Sequence, residues 1–176
     1  MAEAEKLVAE VISACGGEVI GRVRLQKIMY LLDRLGLGGG FEYEYHHYGP
    51  YSENLAVAVD GATADGLVTE DIRHRERDGM PYSVFRVTGE PANKGDIGSL
   101  NRKEFDRAFK ALGQYSATVL ELAATIDWLI KVEKIADWQD ELRRRKGAKA
   151  DEGRIEQAAR LLRTIDLFKP SDINSR

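Results

Sequence analysis

The chain has 176 residues, 43% of them apolar, enough for one full core, and at roughly 100–200 residues per domain a single domain is the default. Its net charge of −3 is unlike the strongly basic balance of proteins that draw most of their affinity from phosphate contacts. No run approaches the ~20 apolar residues of a membrane span, "MAEAEKLVAEV" carries acids where a signal peptide carries a basic segment, and the lone Cys15 forms neither an internal disulfide nor a cysteine zinc cluster; a soluble cytoplasmic protein with one buried thiol is expected.

In chain order, residues 2–14 predict a first helix, because Leu7, Val8, Val11 and Ile12 recur at helical spacing and Gly16-Gly17 stops the pattern. A second helix starts near Val23, with Leu25, Ile28, Met29, Leu32 and Leu35 as its core stripe and "GLGGG" as its end. Its other face carries Lys27, Tyr30, Leu31 and Arg34. In "FEYEYHHY" the alternation sets Phe41, Tyr43 and Tyr45 on one side and Glu42, Glu44 and His46 on the other, as in a short strand or extended loop. Ser52 then reads as the N-cap of a third helix reaching about Asp65, with Leu55, Val59 and Ala62 facing inward. "LAVAV" also suits a strand, but Ala56, Ala58, Gly61, Ala62 and Ala64 favour a closely packed helix.

Residues 67–89 read as a β-hairpin turning at Asp78-Gly79. Three helices followed by a hairpin predict a winged-helix-like core over residues 1–89 of a single domain. Beyond the Gly-rich connector "GEPANKGDIGS" comes a helical extension over residues 100–168. Asn101 and Glu104 form a capping box before Phe105, Phe109 and Leu112. Tyr115, Val119, Leu122, Ile126 and Leu129 mark a long helix, a shorter segment follows Asp137, and Ile155, Ala158, Leu162 and Ile165 define the last one. The expected class is mainly α, within α+β.

The segment most like a site is "HHYGPYS" at residues 46–52. Zinc needs three or four converging ligands, whereas His46, His47 and His74 are the only histidines, and neighbours on an extended segment point apart; no metal or other cofactor is expected. Ser52 with His47 suggests a nucleophile and base, yet a serine before an apolar helix is more simply its cap, and no phosphate-binding glycine loop or nucleophile elbow is present, so no catalytic residue is assigned. Charge argues next. From Leu35 to Ile72 there is no Lys or Arg, while Glu42, Glu44, Glu53, Asp60, Asp65, Glu70 and Asp71 fall inside that window. A winged helix reads the major groove with Arg, Lys, Asn or Gln on its third helix, and here that helix offers only Asn54. Arg73, Arg75 and Arg77 in the hairpin remain available for a weak phosphate contact.

At "RLQKIMYLLDRLG" followed by "HHYGPYSENL" the sequence resembles the Panacea domain family, also called the SocA-like or phage-associated antitoxin domain. Leu25, Gln26, Lys27 and Tyr30 match its Leu-Gln-Lys-x-x-Tyr helix; Tyr48, Gly49, Pro50 and Ser52 match the Tyr-Gly-Pro loop that opens the next helix. The likeness is clearest over residues 16–70 and weaker beyond. It implies a mostly helical antitoxin that neutralises its toxin by direct binding, and one relative is a protease adaptor that delivers its toxin for degradation.

Read from the residues themselves, Gln26 suits a hydrogen bond to the loop, Tyr30 a reach to the Tyr48-Gly49 backbone, and Gly49-Pro50 a fixed approach to the third helix. The same residues also form an expected partner-binding surface, in which Lys27, Tyr30 and Arg34 make a stripe opposite the core and border His47 and Tyr51. Function is therefore expected to be that of an antitoxin-like binder of a cognate toxin or other protein. A DNA-binding regulator using the wing and the basic "RRRKGAK" segment, or a protease adaptor, stand as alternatives.

Overall fold

The computed structural model describes residues 3–89 and 95–172. The fold is mixed α+β, with seven α-helices among the described residues and five short antiparallel strands in two small sheets. Helix α1 (Glu3–Ala14) ends where Gly16 and Gly17 adopt φ of 83° and 86°, and the Gly17 N–H donates back to the Ile12 carbonyl, an arrangement that satisfies a helix end and suits glycine. Strand β1 (Glu18–Ile20) follows at once, then α2 (Arg22–Arg34).

A tight hairpin of β2 (Glu44–His46) and β3 (Gly49–Tyr51) separates α2 from α3 (Glu53–Ala64). Phe41, Tyr43 and Tyr45 are partly buried while Glu42, Glu44 and His46 are exposed, as the alternation predicted. Ser52 caps α3, its Oγ accepting from the Leu55 N–H at 3.2 Å, and Leu55, Ala58, Val59 and Ala62 face the core. A Cβ on Gly61 would stand 2.9 Å from Glu5 Oε1, so the small residues of α3 let it lie close against α1.

The longer hairpin is β4 (Val68–His74) and β5 (Pro81–Val87). Asp78-Gly79 does lie in its turn, but the loop spans residues 75–80 and closes by Gly79 N–H to the Arg75 carbonyl. Strand β1, unforeseen in the sequence, pairs with β5 through Val19 opposite Phe85, giving the order β1-β5-β4. Three residues are too few to show a strand's alternation.

The connector expected over 89–99 includes residues 90–94, which lie outside the described residues. Helix α4 (Arg102–Leu112) is capped by Asn101. Helix α5 (Ala117–Lys131) is capped by Ser116, α6 (Trp138–Lys146) by Asp137 and α7 (Glu152–Thr164) by Asp151. α5 is the hub, with α2, α6, α7 and β3 all packed on it, and one apolar cluster runs from Leu7 to Phe168. The C-terminal helices thus share the core. No helix among the described residues is long and apolar enough to cross a membrane.

Candidate functional site

The β2–β3 hairpin turns at His47-Tyr48, with His46 opposite Gly49 and Tyr45 opposite Pro50. Gly49 and Pro50 are buried, and φ of 83° at Gly49 lies in the left-handed region that glycine tolerates. A Cβ there would come 2.6 Å from Thr125 Oγ1 on α5, so the glycine also permits the close approach.

Side chains from two directions hold the backbone of this segment. Gln26 on α2 clamps Ser52 twice, Nε2 donating to its carbonyl and Oε1 accepting from its N–H, both at 2.9 Å. The Lys27 ammonium donates to the Pro50 carbonyl. From α6, Lys146 Nζ donates to the His47 carbonyl at 3.1 Å and pairs with Glu121 of α5 at 2.8 Å. Lys149 joins the same carboxylate at 3.1 Å and lies over the Tyr48 ring, while Arg145 lies over Tyr45. Lys27, Glu121 and Lys146 are all buried. Burial pushes the Lys27 amine down to about 8, Lys146 adding to the effect and Glu121 opposing it.

A second polar node sits farther along α2. Tyr30 donates to Asp127 Oδ2 at 2.6 Å and Arg34 Nε donates to the same oxygen at 2.8 Å, leaving Asp127 Oδ1 buried without a hydrogen-bond partner among the described residues. Burial first, then the neighbouring Asp127 charge, hold the Tyr30 phenol far above its ordinary value. Tyr43 stands edge-on to Tyr30 at 5.0 Å and donates to Asp33.

These contacts correct the expected surface. Lys27, Tyr30 and Leu31 are buried, as is every residue of α2 from Leu25 to Leu32, so no exposed stripe joins Lys27 and Tyr30 to Arg34. The polar face of α2 is covered by the hairpin on one side and by α5 on the other, which supply its hydrogen-bond partners. Tyr30 reaches Asp127 and not the Tyr48-Gly49 backbone; Lys27 is the side chain that meets the loop. Arg34, partly exposed, faces a buried carboxylate, so its charge reversal would test packing more than binding. The architectural expectations for Gln26 and Gly49-Pro50 agree with the geometry.

What remains at the surface is the hairpin itself. His46 stacks on Tyr51 at 4.9 Å, and His47 meets the Tyr48 ring edge-on at 4.9 Å. Tyr48 is 49% exposed. The two histidines therefore point to different rings, and the described residues hold no group of three His, Cys, Asp or Glu able to ligate a metal ion. A cavity of about 240 Å³ opens beside the hairpin, walled by Leu25, Leu55, Val59 and Phe85, with Lys27 among its lining and Tyr48 and Tyr51 at the hairpin side. Acids surround the region: Glu44 lies 3.7 Å from His46, and Asp60 faces Arg22, which also pairs with Glu70.

Sequence reasoning missed Glu121, Thr125 and Asp127, and offered Lys146 and Lys149 only within the basic "RRRKGAK" segment for a DNA contact. One signal was present. Glu121 and Asp127 are the only acids in the otherwise apolar α5 segment "ATVLELAATIDWLIK", and a charge on a helix that is apolar all round calls for a buried partner.

No family model matches the chain. The uncharacterized protein YwgA of Bacillus subtilis (strain 168) is similar to it, with 27% identity over 110 residues. That match spans 62% of this chain and 65% of YwgA, slightly less than two thirds of the relative's length.

Proposed function

We propose that the chain is an antitoxin-like cytoplasmic protein that binds and neutralises a partner toxin by direct contact, without a cofactor, and that its β2–β3 hairpin is part of the contact. The paired motifs around Gln26-Lys27 and Tyr48-Gly49-Pro50 supply the resemblance behind this reading. The order α1-β1-α2-α3-β4-β5 with β5 central in its sheet supports a winged-helix core into which the short hairpin is inserted.

The observation that carries the reading is the surface of α3. A winged helix lays this helix in the major groove, where Arg, Lys, Asn and Gln read the bases. Here the exposed residues of α3 are Glu53, Asn54, Val57, Asp60 and Ala64, with no basic residue among them. Beside them stand exposed rings on a backbone whose carbonyls are fixed by buried side chains, the type of rigid aromatic surface that supplies binding hot spots. The acidic rim favours a partner with basic surface through electrostatic steering. In the wing, Arg75 and Arg77 each face Asp78, at 3.1 and 3.8 Å, which reduces the charge offered to phosphate.

Co-expression with the product of the adjacent reading frame tests the proposal. Growth rescue and co-purification as a stoichiometric complex are expected. Rescue that needs a host protease would favour an adaptor, and tight, sequence-specific binding of upstream DNA near physiological salt would overturn the reading in favour of a regulator.

A further inference from the structure

We infer that the free edge of β4 pairs with a second copy of this chain, the two strands running antiparallel about a two-fold axis at Ile72. This surface is separate from the β2–β3 hairpin and does not rest on the antitoxin reading. β4 stands at the end of the order β1-β5-β4, and β5 is its one strand partner among the described residues. From Asp71 to His74 every residue is exposed, Ile72 by 58%.

The existing ladder fixes which backbone groups are left over. The Thr88 N–H donates to the Leu67 carbonyl and the Arg75 N–H to the Met80 carbonyl. In an antiparallel pair the bonded residues recur at every second position, so Thr69, Asp71 and Arg73 bond to β5. The N–H and C=O of Glu70, Ile72 and His74 therefore point away from the sheet, as the unpaired row that makes an edge strand a template for another chain.

The side chains say what that chain is. Along "EDIRH" two acids precede Ile72 and two bases follow it, so the edge is complementary to its own reverse. With the axis at Ile72, Asp71 stands opposite Arg73 of the second copy on one face of the joined sheet, and Glu70 opposite His74 on the other; symmetry repeats both contacts. Ile72 meets its own copy at the centre. Moving the axis by one residue would set Asp71 against Asp71 or Arg73 against Arg73, so charge selects a single register. The groups needed are open: Arg73 and His74 have no hydrogen-bond or ion-pair partner among the described residues, and Asp71 meets Arg86 through Oδ2 at 2.7 Å, which leaves Oδ1 for a second guanidinium. Glu70 is already held by Arg22 and Ser83, so the Asp71–Arg73 contacts dominate the selection.

So short a pairing belongs with transient interfaces of less than ~1,200 Å², and a Kd on the order of 10–100 µM is expected, with the chain monomeric at the dilution of a melting experiment. Sedimentation equilibrium of the full chain up to about 1 mM, tenfold or more above that constant, tests the dimer. Ile72→Lys, which sets two ammonium groups at the axis, should weaken association at least about tenfold. Asp71→Arg and Arg73→Asp each place like charges across the axis and should be monomeric alone, yet associate when mixed one to one, because each variant supplies the charge the other lacks. In the unmodified chain, the amides of Glu70, Ile72 and His74 should gain protection from hydrogen exchange as concentration rises, while those of Asp71 and Arg73, already bonded to β5, should not change. A wild type that stays monomeric throughout, a dimer that Ile72→Lys leaves intact, or a mixture of the two folded single variants that stays monomeric would each overturn the inference.

Discussion

The chain has two hairpins that turn through a left-handed glycine, and they are held in opposite ways. In β2–β3, Gly49 at φ 83° is packed on Thr125, and the carbonyls of His47, Pro50 and Ser52 are bonded by Lys146, Lys27 and Gln26. In β4–β5, Gly79 has φ 69°, a Cβ added to it would meet nothing within 4 Å, and among the described residues the tip bonds to itself through Arg75, Arg77, Asp78 and Met80. The first hairpin is fixed by side chains far away in the sequence; the second is fixed by its own turn. A surface loop held that firmly presents its rings in one arrangement, which lowers the ordering entropy paid on binding.

The largest expected effect separates the two glycines. Gly49→Ala meets both backbone strain and the Thr125 hydroxyl, and is expected to lower stability by about 3 kcal/mol or more in chemical denaturation. Gly79→Ala meets strain alone and should lose about 1 kcal/mol. Adding Thr125→Ala to Gly49→Ala should return the steric share and leave the strain; equal losses for the two single glycine variants would remove the distinction between the hairpins.

Next in size is Gln26→Ala. It strands the buried N–H of Ser52, whose carbonyl keeps the Ala56 N–H, and a loss of about 1–3 kcal/mol is expected. Faster hydrogen exchange at Ser52 and Leu55 would locate the effect.

Lys27→Met sharpens the comparison through its sign. Replacing Lys27 with Met removes a buried charge but also the donor that holds the Pro50 carbonyl, and because the two effects oppose each other a net change within about 2 kcal/mol of zero is expected at pH 7. Because the folded amine sits at about 8 against an ordinary 10.5, the unfolded chain binds more proton between those values. Wild-type stability relative to Lys27→Met should therefore rise with pH across that window and stay flat below it. A difference that falls across the same window would mean that the folded protein favours the ammonium.

The smallest effect belongs to the exposed tip. Asp78→Ala removes the Arg75 and Arg77 pairs and the bond to the Met80 N–H, yet a change within about 1 kcal/mol is expected, as for other exposed ion pairs and turn bonds.

The pattern of what was legible in the sequence follows from the range of the interactions. Local signals read well: Ser52 and Asn101 as caps, the alternation through Tyr43 and Tyr45, the glycine stop after α1, and the apolar stripes of α4, α5 and α7. Strand β1 was hidden because its pairing with β5 lies far off in the chain and its three residues show no period. The polar face of α2 misled for a related reason. Periodicity records which residues are polar, and it is silent about partners such as Asp127 for Tyr30 or the Pro50 carbonyl for Lys27. Of the motif residues, Gln26, Lys27 and Gly49-Pro50 accordingly brace the hairpin, while Tyr48 stays exposed beside His47.

Calorimetric titration with a candidate toxin recovered by co-purification tests the central claim most directly, comparing wild type, the double variant His47→Ala/Tyr48→Ala, and the triple variant Arg73→Ala/Arg75→Ala/Arg77→Ala. All three should keep their melting temperature, because the side chains changed are exposed. The hairpin variant should lose roughly 2 kcal/mol or more of binding free energy while the wing variant stays within about 0.5 kcal/mol of wild type. Full binding by the hairpin variant together with loss of binding by the wing variant would contradict the account.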